Sequence, residues 1–166
     1  EKANLKIIRI ATYLHDVGRK DLAEANYDHA IEGTKIARRI LRKYNLSKEE
    51  INHVCHCIEA HRFRKGIEPR TTEAKCLHDA DKLDVLGAIG IARSYIYLGE
   101  TMDCVLYKRY TSKNSSSKRT NSVQGEYEIK YKFLPGKMAT KEGKSIAKKR
   151  LAYMKSFLDK LESEVK

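Results

Sequence analysis

The 166-residue sequence has no tryptophan, only two prolines and only four cysteines. No apolar run approaches the ~20 residues that a bilayer-spanning helix needs, so such a span is excluded and a soluble chain with no membrane partner is expected. Cys55, Cys57, Cys76 and Cys104 make no C-x-x-C pair and are too few for a disulfide scaffold. That usage fits a reducing, cytoplasmic setting. No signal peptide opens the chain, but its first residue is Glu1 and not Met, so the native start is expected upstream. Acid is also scarce: 22 Asp and Glu face 34 Lys and Arg, a net charge of +12. A chain this basic attracts phosphates, whether of a nucleotide, a nucleic acid or a lipid.

What is present reads as helix. Ile7, Ile8, Ala11 and Leu14 recur at helical spacing from about Ala3 to Asp16, with Gly18 as the stop and permitting a turn. Arg19 to Tyr27 lacks a period and reads as a loop. Asp28 can then cap a helix through Ile31, Ile36, Ile40 and Leu41. Ser47-Lys48-Glu49-Glu50 has the form of a capping box and opens a helix carrying Ile51, Val54, Cys55 and Ile58, which Gly66 and Pro69 break. Glu73 to Leu83 and Val85 to Leu98 are two further helices; the second is apolar nearly all round and is expected at the centre of the fold. Ser112 to Gly125 is polar and low in complexity, and reads as one long flexible loop, 112–125. The last helix starts near Thr140 and carries Ile146, Ala147, Leu151, Met154, Leu158, Leu161 and Val165 as a stripe. No segment alternates enough to demand a sheet, so the expectation is one all-α domain over residues 1–166, with roughly six to eight helices.

Two elements carry chemistry. His15-Asp16 closes a buried apolar helix, and adjacent imidazole and carboxylate can share one divalent metal if the backbone turns there. A helix-capping histidine beside a loop-binding aspartate is the other reading of the pair. The second element, Asp79-Ala80-Asp81-Lys82-Leu83-Asp84, sets three carboxylates among apolar neighbours. Buried acids need a cation or a base in compensation, and the flanking Leu77, Val85 and Leu86 favour burial over an exposed acidic turn.

Together, Tyr13-Leu14-His15-Asp16-Val17-Gly18-Arg19 and the stretch from Leu77 through Asp84 to Arg93 resemble the HD-domain superfamily of metal-dependent phosphohydrolases, in particular a small nucleotide-phosphatase branch. The resemblance implies a compact helical domain and a metal held by an early His, the His-Asp doublet and a later Asp. The doublet matches His15 and Asp16, and the later Asp matches Asp81. No histidine lies between Glu1 and Leu14 to match the early ligand. Either the chain begins downstream of that residue or it has lost it, and metal affinity is expected to suffer. Family members with two metals have histidines in places similar to those of His29 and His61, which here either line the pocket or pack as ordinary side chains. His53, Cys57 and His61 are spaced four apart, but Cys-His-Cys at 55–57 is not a usual zinc spacing.

The expected function is metal-activated attack of water on phosphorus in a small phosphorylated substrate, a nucleotide by resemblance. Asp16 and Asp84 are candidate catalytic acids for proton transfer. Arg19, Lys20, Lys82 and Arg93 are candidate phosphate-binding cations, with Arg93 equally able to neutralise Asp84. Mn²⁺, Mg²⁺, Co²⁺ and Ni²⁺ all suit mixed imidazole and carboxylate ligands. The alternative is a noncatalytic basic regulator or nucleic-acid-binding module with the same helical fold, since most of the positive excess follows Gly99. Oligomeric state is open, a homo-oligomer included.

Overall fold

The computed structural model describes residues 2–19, 28–62, 67–108, 110 and 120–165. It is all-α, with seven α-helices and one 3₁₀ helix among the described residues and no strand there. Contacts gather into two compact units, Glu1–Asp81 and Lys82–Lys166.

In the first unit, α1 spans Leu5–Leu14 and begins where Asn4 caps it, its side chain accepting from the backbone N–H of Lys6 at 3.0 Å and Ile7 at 3.4 Å. The helix is therefore shorter at both ends than the expected Ala3–Asp16, because Asn4 starts it and His15 is its C-cap. Helix α2 (His29–Leu41) is capped by Asp28 as expected, and α3 (Lys48–Ala60) carries the full capping box of Ser47 and Glu50. The latter ends at His61, ahead of the breakers in the sequence. Helix α4 covers Thr72–Leu83.

The core of this unit joins Ile7 and Ala11 of α1, Ala37 and Leu41 of α2, Val54 and Ile58 of α3, and Ala74 and Leu77 of α4. Its alanines bring only a methyl group between the helices, while each fully buried Ile contributes roughly 1.5–3 kcal/mol through the apolar surface removed from water. Glu73 ties the N-terminus of α1 down by accepting from the backbone N–H of Asn4 at 2.7 Å.

In the second unit, α5 spans Gly87–Thr101, α6 Val123–Ile129, a 3₁₀ helix Tyr131–Lys137, and α7 Lys141–Glu164 capped by Thr140. Gly87, with φ of +75°, sits under the stem of Arg150, whose guanidinium donates to the Leu83 carbonyl at 2.7 Å. Gly90 is equally constrained, since a Cβ there would lie 2.2 Å from the Val85 carbonyl carbon.

Two expectations are corrected in this unit. Helix α5 is not wrapped in core: its Gly90, Ile91, Ser94 and Leu98 face is buried, while Ile89, Ile96 and Tyr97 are exposed. Apolar composition all round reported the sequence, not the surroundings. The loop expected over 112–125 does not extend to its end either, because Ser122 accepts from the Gly125 N–H and starts α6 at Val123. Residues 112–119 of that stretch, and most of the expected loop 19–27, lie outside the described residues. No helix of the described residues is long and apolar enough to cross a membrane.

Candidate metal centre

His15 and His61 are the C-caps of α1 and α3. Each turns its ring back onto its own helix: His15 Nδ1 lies 2.7 Å from the Thr12 carbonyl oxygen and His61 Nδ1 2.5 Å from that of Ile58. A carbonyl can only accept, so Nδ1 carries the proton and donates it, and in the neutral ring the acceptor lone pair is on Nε2. Both Nε2 atoms face Asp16. That of His15 lies 3.6 Å from Oδ2, and that of His61 lies 3.9 Å from Oδ1. His29, the first residue of α2, brings its Nε2 to 3.5 Å from the same Oδ1. One carboxylate thus faces three imidazoles, with different histidines on its two oxygens. The ligand atoms of Asp16, His29 and His61 lie within 4.8 Å of one another.

The backbone places these groups through two glycines and a cap. A Cβ on Gly18 would lie 2.4 Å from both the Gly33 nitrogen and the His29 carbonyl oxygen, so the turn after His15-Asp16 reaches α2 only because position 18 has no side chain. Gly18 was expected to permit the turn, but its φ is not positive. Its contribution is close approach and not backbone freedom. Asp28 caps α2 through the Ala30 N–H at 3.0 Å and also accepts from Arg62 Nη1 at 3.0 Å, which sets a guanidinium beside His29.

Burial is the main force holding the His29 imidazole below its ordinary range, reinforced by the positive charge of Arg62 and opposed by Asp16. Burial likewise depresses His61, against the Ile58 carbonyl and the charges of Asp81 and Asp16. His56 is depressed mainly by burial too. These rings are neutral at neutral pH, the form in which imidazole binds a metal. In acid the unfolded chain binds more protons than the folded one, so stability is complete above the ordinary histidine value of 6.5 and falls as pH drops through and below it. The metal-free melting temperature is expected to fall between pH 7.5 and 5.5, with at most ~1.4 kcal/mol lost per pH unit for each histidine. A flat or rising melting curve over that range would contradict the assignment.

The remaining expected residues fall in several places. Asp81 is exposed, near enough to His61 for its charge to act on the ring. Arg19 is exposed and donates to Asp16 Oδ2 at 3.0 Å. Lys20 lies outside the described residues. Lys82 is buried, while Asp84 and Arg93 form an exposed ion pair in the second unit. Burial of the acidic run therefore holds for Asp79, next to the His78 ring at 3.1 Å, and not for Asp81 or Asp84. Asp79 and Asp81, two apart in the last turns of α4, point to different sides, and Asp84 follows the helix end.

The other histidines of α3 serve the scaffold. His53 Nε2 lies 3.0 Å from both Thr71 Oγ1 and Glu73 Oε2, and His56 Nε2 accepts from the Arg70 N–H at 3.1 Å. Cys57 is buried and its thiol is pushed up to about 12, mainly by burial, so it is protonated at neutral pH. Arg62 and its anchor Asp28 were not anticipated as part of the site; adjacency to His61 was the only sequence signal for Arg62.

Three imidazoles and one carboxylate are a donor set suited to divalent first-row metals. The ring-orienting bonds to backbone carbonyls are the kind of outer support that metal-binding histidines have.

The model of the HD domain family matches residues 1–86. YpgQ of Bacillus subtilis is 31% identical over 103 residues, which cover 60% of this chain and 48% of YpgQ, so the chain spans about half the length of that relative. Its crystal structure superposes with a TM-score of 0.74 at 25% identity, covering 98% of this chain and 77% of that one. YpgQ is also known in complex with ADP, at a TM-score of 0.71 and 24% identity, covering 98% and 75%. An HD-superfamily hydrolase from Bacillus thuringiensis gives a TM-score of 0.72 at 29% identity over 98% of this chain and 75% of that one.

Proposed function

Because the chain belongs to the HD-domain family, we propose that it is a divalent-metal-dependent phosphohydrolase whose substrate is a small phosphorylated molecule, a nucleotide. The observation that carries this reading is the Asp16 carboxylate set among the Nε2 atoms of His15, His29 and His61. The complex of YpgQ with ADP supports the choice of a nucleotide.

Asp16, His29 and His61 would hold the cation, with His15 on the other carboxylate oxygen and Asp81 adding charge beside His61. A divalent cation bound there supplies Lewis acidity and brings the pKa of water toward neutrality. The protein's own groups do the rest. Arg19 offers several N–H donors beyond the one spent on Asp16, enough for a bidentate grip on phosphate oxygens. Arg62, held by Asp28, adds fixed positive charge where a phosphoryl group would carry its negative charge. Asp16 would take up a proton as water attacks. Asp84 would share that role only as a second candidate, since its carboxylate is paired with Arg93.

The full-length native protein is expected to release phosphate or pyrophosphate from a nucleotide panel with added Mn²⁺, and Asp81→Ala to lose at least ~10²-fold in rate, the effect of ~2.7 kcal/mol on the barrier. Full activity in Asp81→Ala would remove Asp81 from the site. A second reading, a noncatalytic nucleic-acid-binding module, is carried by the lysine-rich outer face of α7. Salt-dependent retention of nucleic acid with no turnover of any nucleotide would put it first.

A further inference from the structure

The second unit contains a cavity of about 200 Å³ whose walls belong to two helix faces. From α6 come Gln124, Tyr127 and Glu128, three and four residues apart and so on one side of the helix. From α7 come Lys155, Leu158, Asp159 and Glu162, again one face. Tyr107 and Tyr110 complete an aromatic trio.

Gln124 is only 8% exposed, yet among the described residues neither its Oε1 nor its Nε2 has a hydrogen-bond partner. The buried hydroxyl of Tyr110 is likewise unpartnered. A buried polar atom left unpaired is costly, and native structures keep few without a reason such as a ligand.

The chemistry of the walls selects the ligand. Lys155 is committed to Asp159, donating to both its oxygens at 2.9 and 2.7 Å, so no lysine charge there is left for an anion. Glu128 is likewise paired with Lys132, so the walls offer a phosphate no net positive charge. A simple ammonium ion only donates and would leave the Gln124 Nε2 unpaired. A flat ring with an exocyclic amino group beside a ring-nitrogen acceptor satisfies both atoms of the carboxamide, stacks on tyrosine, and turns its second amino hydrogen to a carboxylate. The volume suits a base and not a whole nucleotide.

We propose that this cavity is a binding site for a nucleobase of the adenine or cytosine pattern, read by the Gln124 carboxamide and stacked on the tyrosines. The assignment depends on neither the metal centre nor turnover. Its test is calorimetric titration of the full-length protein with adenosine in EDTA, with uridine and inorganic phosphate as comparison probes. Adenosine is expected to bind saturably, uridine at least ~10-fold more weakly because its carbonyls face the carboxylates, and phosphate not at all.

Gln124→Met keeps the length of the side chain and removes the orphaned amide. It should weaken adenosine at least ~10-fold while raising the melting temperature by roughly 2–4 °C. Should that variant fail to fold, the side-chain NH₂ resonance of Gln124 in the native protein is expected to shift with adenosine and not with phosphate. No saturable adenosine binding, wild-type affinity in Gln124→Met, or an unmoved Gln124 resonance would each overturn the proposal. Adenosine has no phosphate and EDTA removes the cation, so such a failure would leave the phosphohydrolase reading standing.

Discussion

Asp16→Ala is expected to abolish measurable Mn²⁺ binding and to lower phosphate release by at least ~10³-fold, equivalent to ~4 kcal/mol of lost transition-state stabilisation. The magnitude follows from geometry. The Asp16 carboxylate faces the Nε2 atoms of His15, His29 and His61, and without it the three rings lose the anion they share. Its partner Arg19 is exposed, and an exposed ion pair contributes only ~0–1 kcal/mol. The variant should therefore melt close to wild type while its calorimetric metal titration goes flat. That separation is the informative result. A variant that melts normally and still binds Mn²⁺ with wild-type affinity would sink the assignment, which rests on the Asp16 oxygens lying 3.6, 3.5 and 3.9 Å from the Nε2 atoms of His15, His29 and His61.

Gly18→Ala is expected to do the reverse and damage both properties together. Overpacking usually costs ~1–3 kcal/mol when side chains can move aside. Here the new Cβ would meet backbone: the Gly33 nitrogen and His29 carbonyl at 2.4 Å and the Gly33 Cα at 2.8 Å. No rotamer change relieves a backbone clash, so the cost belongs at the upper end, ~3 kcal/mol, or a drop in melting temperature of roughly 6–12 °C. Relief requires α2 to move away from the turn after α1, which carries His29 away from Asp16. Metal affinity should fall with stability, and thermal melts with and without Mn²⁺ would show a smaller metal-induced shift than in wild type. Unchanged melting would mean that the turn and α2 are not in the contact described.

The parts of the fold legible in the sequence are those whose partners are local. Asp28, Ser47 with Glu50, and Thr140 each satisfy a backbone N–H two or three residues away, so the residue type and its place identify the helix start. His15-Asp16 was legible as a doublet. The companionship of His29 and His61 was open at that level, because it depends on how α1, α2 and α3 pack, and spacing along the chain does not encode packing. Arg62 was missed for the same reason. The seven-residue α6 is too short for a periodic signal and follows a serine-rich tract, so its start at Ser122 was absorbed into a loop. The exposed flank of α5 shows the converse error: composition suggested burial, and only the neighbours of each residue could decide it.

The ring-to-carbonyl bonds of His15 and His61 have a consequence for how the site comes into being. Thr12 and Ile58 are among the last four residues of their helices, whose carbonyls have no N–H within the helix to receive. Each histidine satisfies one of those carbonyls, and in doing so fixes which of its nitrogens is left to bind. The closing of a helix and the pointing of a ligand are therefore one event. When a terminal turn frays, the ring loses its tautomer and its aim together, and when the turn re-forms both return without any separate search. The site is thus preorganised by the same cooperative step that ends α1 and α3, and its precision is that of two helix termini and not that of a loop.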